Sequence, residues 1–413
     1  MMQDWKTYRL SEFININPLV KLKANEKHSF VEMKDLDANL KTVIPSDFKF
    51  LKGGAKFQNG DTLFARITPC LQNGKICQVK DLHNNVGFGS TEFLVFRGKE
   101  GVSDKDFVYY LSREPYVRQF AEANMIGTSG RQRVAKEAFH NIKLELPPLR
   151  EQKAIASILS ALDDKIELNL QMNKTLEEMA MALYKHWFVD FGPFQNGKFV
   201  ESELGMIPKG WEVKSILEIV DLLSGGTPKT SVQEYWNGDI NWVSAKDIGN
   251  GGLIYIYGTE KTITREGVNN SSTKILPEDT VILVARGSVG KYGMIAKPMA
   301  MNQSCYGLFT KGDFSQALVY LMFSRLIEQF KRVAYGSVFD TITTSTFITT
   351  NVIIPPKDIV NNLKDLIDPI FVQLKQNTLE NQSLTTLRDT LSPKLISGEV
   401  RVKDVETKIA AAL

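Results

Sequence analysis

The sequence predicts an α+β protein in which a globular unit followed by a long helix occurs twice. Segments of similar sequence recur roughly 210 residues apart, which indicates an internal repeat. Each copy ends in a stretch of roughly 40 residues whose apolar side chains follow helical spacing. We therefore expect two similar α+β domains separated by two long antiparallel α-helices that form a coiled coil, with an approximate twofold axis relating the two halves.

The first helix is predicted over residues 150–191. Its apolar residues recur at steps of three and four, the spacing of a coiled-coil contact face. They are Ile155, Leu159, Leu162, Ile166, Leu176, Ala180, Leu183 and Trp187. The second helix is predicted within residues 357–413 on the same spacing, and Pro369 should kink this helix or delay its start.

Paired asparagines interrupt both apolar faces at the same place. Asn169 and Asn173 stand in the first helix, and Asn377 and Asn381 stand 208 residues later in the second. In an antiparallel pair these polar layers meet, and a shift of register would bury an amide against leucine without a partner. We expect the four asparagines to fix the register of the two helices.

Matching segments also occur inside the two globular units, in the same order. Trp5 corresponds to Trp211, and residues 57–76 correspond to 275–295. Pro147-Pro148 and Pro355-Pro356 end the two units, because a proline is tolerated at the start of a helix and the residue before it favours extended structure. The predicted parts are a first unit (1–149), a first helix (150–191), a linker (192–206), a second unit (207–356) and a second helix with a C-terminal tail (357–413).

Within each unit the local pattern predicts strands and then a helix. Residues 62–66 and 280–286 are short β-branched or aromatic runs bounded by Asp and Gly, which is typical of strands. Residues 104–123 and 314–334 carry apolar side chains on one helical face. Loops rich in Gly, Ser and Thr follow at 127–133 and 336–346.

Composition and charge place the chain among ordinary globular proteins. It is 43% hydrophobic and 23% charged. Residues 1–149 hold 22 Lys and Arg against 17 Asp and Glu, a mildly basic balance compatible with nucleic-acid binding. The sequence shows no apolar run near the length of a membrane span and no signal-peptide pattern at its start, and its three cysteines are too few for a disulfide framework or a zinc site. We expect a cytoplasmic protein.

Sequence motifs of catalysis are missing. Residues 192–198 fit the spacing of a phosphate-binding loop, but Phe199 replaces the Ser or Thr that would hold magnesium, and no strand is predicted before it. The four histidines show no metal-ligand spacing. We expect a chain that is not an enzyme and that holds no metal.

Arginines at the ends of equivalent strands are the first candidates for DNA binding. Arg66 and Thr68 correspond in the repeat to Arg286 and Ser288. An arginine there can bind guanine or a phosphate, and the nearby hydroxyl can add a second contact. The alternative is an arginine that forms a salt bridge within the fold.

Further candidates lie in loops. The 127–133 loop offers Arg131, Gln132 and Arg133 on a flexible segment flanked by glycine. Lys34 and Lys246 share a place in the repeat, and Lys229 follows a Gly-Gly-Thr-Pro turn. Each lysine is expected either to contact DNA or to be a solvated surface charge.

Aromatic residues crowd the end of the first helix. Tyr184, Trp187, Phe188 and Phe191 lie within eight residues of one another. Packing is the favoured interpretation over base stacking, since such a surface must be buried either against the second unit or against a partner protein.

The chain as a whole resembles the DNA specificity subunits of type I restriction–modification systems. The segments that carry the resemblance are LPPLREQKAIASILSALDDKIELN (146–169), ALYKHWFVDFGPF (182–194), IPKGWE (207–212), EYWNGDINWVSAKDI (234–248) and MNQSCYGLF (301–309). In the second half, Lys357 to Ile359 lack the family's usual Glu-Gln after Pro-Pro, and Arg388 interrupts the apolar helix face.

The resemblance implies two target-recognition domains that each read one half of a bipartite DNA site, with the helices as spacers. It implies double-stranded DNA and two methyltransferase subunits as partners, with restriction subunits joining in some complexes. S-adenosylmethionine would be bound by the methyltransferase subunits, which flip and methylate adenine, and not by this chain. A stand-alone DNA-binding regulator and an interaction scaffold without DNA are the alternatives.

Overall fold

The computed structural model describes residues 4–128, 130–249, 253–335 and 341–403. Of residues 333–335 it describes the backbone only. The predicted loop at 336–346 falls partly outside the described residues, as do Ser129 and most of the predicted C-terminal tail. The chain forms two compact units. Unit 1 comprises Met1–Leu168 with Asn381–Leu413, and unit 2 comprises Asn169–Glu380.

Unit 1 is built mainly from strands. They are β1 (Lys6–Arg9), β2 (Ile14–Ile16), β3 (Lys27–Val31), β4 (Thr42–Val43), β5 (Asp47–Phe50), β6 (Ala55–Gln58), β7 (Thr62–Ala65), β8 (Ile76–Val79), β9 (Val86–Gly89), β10 (Phe93–Gly98), β11 (Met125–Ile126), β12 (Arg133–Val134) and β13 (Lys143–Leu146). One sheet has the order β2-β10-β7-β8-β4 and another β5-β3-β9-β6, while β1 pairs with β13 and β11 with β12. Helices α1 (Leu10–Phe13), α2 (Lys105–Arg113) and α3 (Pro115–Ala123) complete the domain.

Unit 2 contains the second domain. Its strands are β14 (Phe199–Ser202), β15 (Gly205–Pro208), β16 (Glu212–Ser215), β17 (Val220–Ser224), β18 (Trp236–Val243), β19 (Tyr255–Ile256), β20 (Thr262–Ile263), β21 (Val281–Val284), β22 (Tyr292–Ile295), β23 (Ala300–Met301), β24 (Cys305–Thr310) and β25 (Asn351–Ile354). Helices α5 (Arg265–Asn269), α6 (Gln316–Tyr335) and α7 (Thr344–Ile348) belong to the same domain.

The strand order repeats between the two units. The five-stranded sheet of unit 2 runs β17-β24-β21-β22-β19, with each strand at the place of its counterpart in unit 1. In both sheets the last pair is parallel and the other pairs are antiparallel. The pair β16–β25 likewise matches β1–β13. The predicted α+β fold with two similar domains is confirmed.

The central strand of each five-stranded sheet is buried on both faces. In β7, Leu63 and Phe64 point to opposite sides, because side chains alternate along a strand, and they belong to different apolar clusters. In β21, Leu283 and Ile282 alternate in the same way. Burial on both faces explains why these runs are continuously apolar in the sequence.

Two long helices follow the domains. They are α4 (Leu149–Phe188) and α8 (Lys357–Ile396), and each begins in one unit and ends in the other. In unit 1, Asp163 bonds to Arg388 and the carbonyl of Ile166 bonds to Asn381. A higher residue number on α4 is paired with a lower residue number on α8, so the two helices run antiparallel in unit 1.

Two local predictions need correction, and the predicted linker contains a hairpin. The helix predicted over 104–123 is two helices, because Glu114 is extended and Pro115 starts a new helix. Pro369, predicted either to kink the second helix or to delay its start, does not delay it, since α8 begins at Lys357 and runs through the proline, with Ile367 and Phe371 buried on either side of it. The 192–206 segment, predicted as a linker, contains β14 and the start of β15, a hairpin in which Phe199 faces Pro208.

Candidate nucleic-acid interface

The two predicted binding loops of unit 1 lie side by side. The backbone N–H of Thr68 donates to the carbonyl of Gln132 at 3.0 Å, and the N–H of Gln132 donates to Oγ1 of Thr68 at 3.0 Å. The N–H of Val134 donates to the carbonyl of Arg66 at 2.9 Å. The sequence predicted both loops but not their contact, which joins residues more than 60 positions apart.

Thr68 and Gln132 therefore stabilise the contact between the two loops. Thr68 is only 8% exposed, and its hydroxyl oxygen is already the acceptor of a backbone hydrogen bond. Gln132 is half-buried beside it. Their positions shape this edge of unit 1, whereas the charged side chains around them provide the groups that attract an anion.

Arg131 and Arg133 differ sharply in their surroundings. Arg133 donates from Nε and Nη2 to the carboxylate of Glu92 at distances between 2.7 and 3.0 Å. This two-point ion pair occupies the guanidinium face that a base or phosphate would need. Arg131 is exposed, and no side-chain partner for it occurs in the described part of the chain.

Arg66 lies in a cleft of about 390 Å³ in unit 1. Its Nε atom is buried and has no hydrogen-bond partner among the described residues. Lys56, Asn17 and Thr91 contribute to the same lining, together with the apolar side chain of Leu19. An internal salt bridge, the alternative considered for Arg66, is absent from the part of unit 1 that the structure describes.

The equivalent edge of unit 2 is more open. Arg286 and Ser288 are both exposed, and they follow β21 as Arg66 and Thr68 follow β7. The N–H of Ile342 donates to the carbonyl of Ala285 at 3.1 Å, so the described part of the predicted 336–346 loop joins this edge. Residues 336–340 themselves lie outside the described residues.

The three candidate lysines are all on the surface. Lys34 pairs with Glu32 at 2.8 Å, and Lys246 pairs with Glu260 at 3.3 Å. The hydrogen bond from Lys34, with that from Lys49, lowers the pKa of the Glu32 carboxyl to about 2. Exposed pairs of this kind contribute little to stability, so a phosphate can compete for these lysines. Lys229 is also exposed, in the loop between β17 and β18.

The aromatic residues at the end of α4 pack within unit 2. The ring of Phe188 stacks on Tyr184 at 4.7 Å between centroids and meets Trp211 edge-on at 5.6 Å. Phe191 lies 5.3 Å from the same indole ring, and Trp187 contacts Phe194. Burial raises the pKa of the Tyr184 hydroxyl. Of the two burial partners considered from the sequence, these contacts are with the second unit.

The four asparagines of the long helices make polar contacts at the helix interface. In unit 2, Nδ2 of Asn377 donates to Oδ1 of Asn173 at 2.9 Å, and Nδ2 of Asn173 donates to Oγ1 of Thr378 at 3.2 Å. Asn169 donates to Glu380 at 2.7 Å in the same unit. In unit 1, Nδ2 of Asn381 donates to the carbonyl of Ile166 at 3.2 Å. Their role in fixing the register stays a prediction.

An ion pair on the helix face was not predicted from the sequence. Arg388, which interrupts the apolar spacing of α8, bonds to the buried carboxylate of Asp163 on α4 in unit 1. The sequence did contain an indication of this ion pair, since Asp163 directly follows Leu162, an apolar residue of the helix contact face. Charge at two such positions on antiparallel helices indicates a buried pair.

The described residues show neither a metal-binding cluster nor a membrane-spanning helix. They contain no group of three or more His, Cys, Asp or Glu placed to hold a metal ion. No helix among them combines the length and the hydropathy needed to cross a membrane.

The fold defines a two-domain protein in which an α+β domain followed by a long helix occurs twice. The chain belongs to the family described as the type I restriction modification DNA specificity domain, whose model matches residues 2–178 and again 208–386. Each match spans one α+β domain and a large part of the helix that follows it.

Individual relatives agree with this assignment. The chain is 28% identical to the type I restriction enzyme HindI specificity subunit of Haemophilus influenzae, over 97% of this chain and 100% of that protein. It is 28% identical to the MjaIX specificity subunit of Methanocaldococcus jannaschii, over 74% and 71% of the two chains. The crystal structure of the S subunit from M. genitalium shares the fold, with a TM-score of 0.56 at 14% identity over 95% of this chain and 96% of that one.

Proposed function

We propose that this chain reads a bipartite DNA target, one half with each α+β domain, and directs the methyltransferase and restriction subunits of a type I system to that target. The observation that carries the proposal is the doubled domain. The family model matches twice, and the same strand order occurs in both units. Two similar readers on one chain suit a target with two separate half-sites.

The proposal gives the chain a role in recognition and none in catalysis. The methyltransferase subunits would bind S-adenosylmethionine, extrude the target adenine and transfer the methyl group. This chain would bind no cofactor and would position the duplex for them. We propose the cytoplasm as its location, where chromosomal DNA is accessible to it.

The proposed DNA contacts differ in kind between the candidate residues. Arg131, Lys229, Arg286 and Ser288 are exposed and supply donors directly. Lys34 and Lys246 would exchange an exposed carboxylate partner for a phosphate. Thr68, Gln132 and Arg133 would act mainly by holding the loop edge of unit 1 in shape.

Exposed apolar side chains on the long helices support the proposed partners. In unit 2, Met172 and Met179 of α4 are 38% and 50% exposed, and Leu366 and Val372 of α8 are 47% and 55% exposed. Apolar residues of this size on a helix surface are common where another protein binds. We propose that the methyltransferase subunits cover these side chains.

Co-expression with the modification subunit of the same operon tests the proposal. We expect the two proteins to elute together on gel filtration and to bind duplex DNA with an affinity that falls steeply as salt rises. A chain that binds DNA specifically but never joins the modification subunit would instead be a stand-alone regulator. A chain that joins it without any DNA binding would be a scaffold, and either result would refute the proposal.

A further inference from the structure

The cleft around Arg66 has the chemistry of an anion site. Its lining includes two cations, Arg66 and Lys56, and no carboxylate. Neither cation has an ion-pair partner within the described residues. Glu92, the carboxylate that follows the cleft residue Thr91 in sequence, is held by Arg133 at 2.7 Å. The cleft therefore keeps an uncompensated positive charge beside the binding loops.

Three residues of the cleft lining also carry hydrogen-bond donors. Nε of Arg66 is buried and has no partner among the described residues, and an unsatisfied buried donor is one mark of a site that binds an ion. The carboxamide oxygen of Asn17 accepts from the N–H of Val95 at 2.8 Å, which leaves its NH₂ group to donate. Thr91 is exposed and adds a hydroxyl. A ligand made only of acceptors satisfies this set best.

The shape of the cleft favours a phosphate over a base as its ligand. A recess of about 390 Å³ accepts a group that projects outward. The phosphates of a duplex project from its surface, whereas base edges lie on the floor of a groove and are read by protruding side chains. Leu19, 86% exposed at the cleft, and Val20 beside it provide apolar surface for a sugar.

We propose that this cleft seats one deoxyribose phosphate of the DNA backbone, held by Arg66 and Lys56. The proposal rests on the DNA-recognition function proposed above and makes Arg66 a positioning contact rather than a reader of sequence. Unit 1 would then take its register on the duplex from this phosphate, and other side chains of its loop edge would read the bases.

The test uses the full chain in complex with its modification subunits and two duplexes, one carrying the mapped methylation site and one lacking it. Binding of each is measured by fluorescence anisotropy at several salt concentrations between about 50 and 200 mM. Arg66→Ala should weaken binding to both duplexes by a similar factor, about 10–100-fold, because a charge-assisted hydrogen bond is lost. The slope of log affinity against log salt should fall by about 1, and the methylated sequence should stay the same.

Matched variants control for charge and folding. Lys56→Ala should reproduce the uniform loss, and Arg66→Lys should recover part of it. Arg150→Ala removes the same charge from an exposed position of unit 1 at the start of α4 and should change neither affinity nor salt slope much. A change in the methylated sequence with Arg66→Ala would make Arg66 a base reader and overturn the phosphate site. Unchanged affinity in both cleft variants would also overturn it.

Experiments with inorganic phosphate distinguish a phosphate of the DNA backbone from a free phosphate ion as the ligand of the cleft. At matched ionic strength it should compete with DNA no better than chloride does, because the site needs the rest of the duplex. Stabilisation of the wild type by inorganic phosphate, lost in Arg66→Ala without any effect on DNA binding, would assign the cleft to a free anion. If the wild-type complex shows no salt-dependent DNA binding at all, the proposed function fails and the phosphate site fails with it.

Discussion

Nη1 of Arg388 donates a hydrogen bond to Oδ1 of Asp163 over 2.6 Å, with both side chains only 4% exposed. The other carboxylate oxygen accepts from the hydroxyl of Tyr110 at 2.5 Å, so a residue of the first α+β domain joins the helix pair. Arg388 also bonds to Asp389 at 2.8 Å. One buried carboxylate thereby connects both long helices to the recognition domain of unit 1.

Breaking this pair on one side should destabilise unit 1 strongly. Arg388→Met leaves the buried Asp163 without its cation, and we expect a loss of about 3–5 kcal/mol in the free energy of unfolding. The double variant Arg388→Met with Asp163→Leu should recover most of that loss, because no charge then stays buried alone. Urea unfolding measures both, and a single variant as stable as the wild type would contradict the buried ion pair.

The pair Asn173 and Asn377 should behave as a device for register. Asn377→Leu leaves Oδ1 of the partly buried Asn173 without its donor and should cost about 1–3 kcal/mol. Replacing both by leucine should restore or raise stability while weakening the register. Cysteines placed at matched and mismatched positions of the two helices report the register through their crosslinking pattern. Crosslinks confined to the matched pair in the double variant would refute the register role.

Glu114 predicts a pH dependence of stability in unit 1. Burial raises the pKa of its carboxyl from 4.5 to about 7, although the hydroxyl of Ser392 on α8 donates to it at 2.8 Å. Because the folded state binds the proton more tightly than the unfolded state, stability should fall as pH rises above 4.5 and level off above about 7. Over this pH range the free energy of unfolding should fall by about 3 kcal/mol in total.

Glu114→Gln supplies the control for that titration, since it keeps the hydrogen bond from Ser392 without the charge. Its free energy of unfolding, measured in urea from pH 4.5 to pH 8, should lack the component of the slope due to Glu114. An identical slope in wild type and variant would place the titration elsewhere.

Replacing Arg286 should change the recognition of the second half-site alone. It is exposed at the open edge of unit 2, where a guanidinium can reach a base edge. Arg286→Ala should cost about 1–3 kcal/mol in binding and relax the preference at one position of that half-site. Competition with duplexes that vary one base pair at a time measures this, and an equal loss for every duplex would indicate a phosphate contact.

The regular features of this fold were predictable because they depend on local spacing. The repeated strands, the antiparallel helices and their polar layers follow from periodicity and from Asn169, Asn173, Asn377 and Asn381. The break at Pro115 depends on a local signal, but one that competes with strong helical spacing on both sides.

Features that join distant segments were not predictable in the same way. The pairing of Arg133 with Glu92 spans 41 residues, and that of Asp163 with Arg388 spans 225. The cleft of Arg66 forms only where segments near Asn17 and Lys56 converge on it. Which arginine is paired and which is available therefore depends on tertiary packing and not on the neighbours of either residue in sequence.

The most direct test of the account is to replace Met1–Pro148 with the equivalent segment of another specificity subunit and to map methylated adenines in cells that carry the modification subunit. We expect one half of the methylated sequence to change while the other half is retained. A change in both halves together, or in neither, would contradict the claim that each α+β domain reads its own half-site.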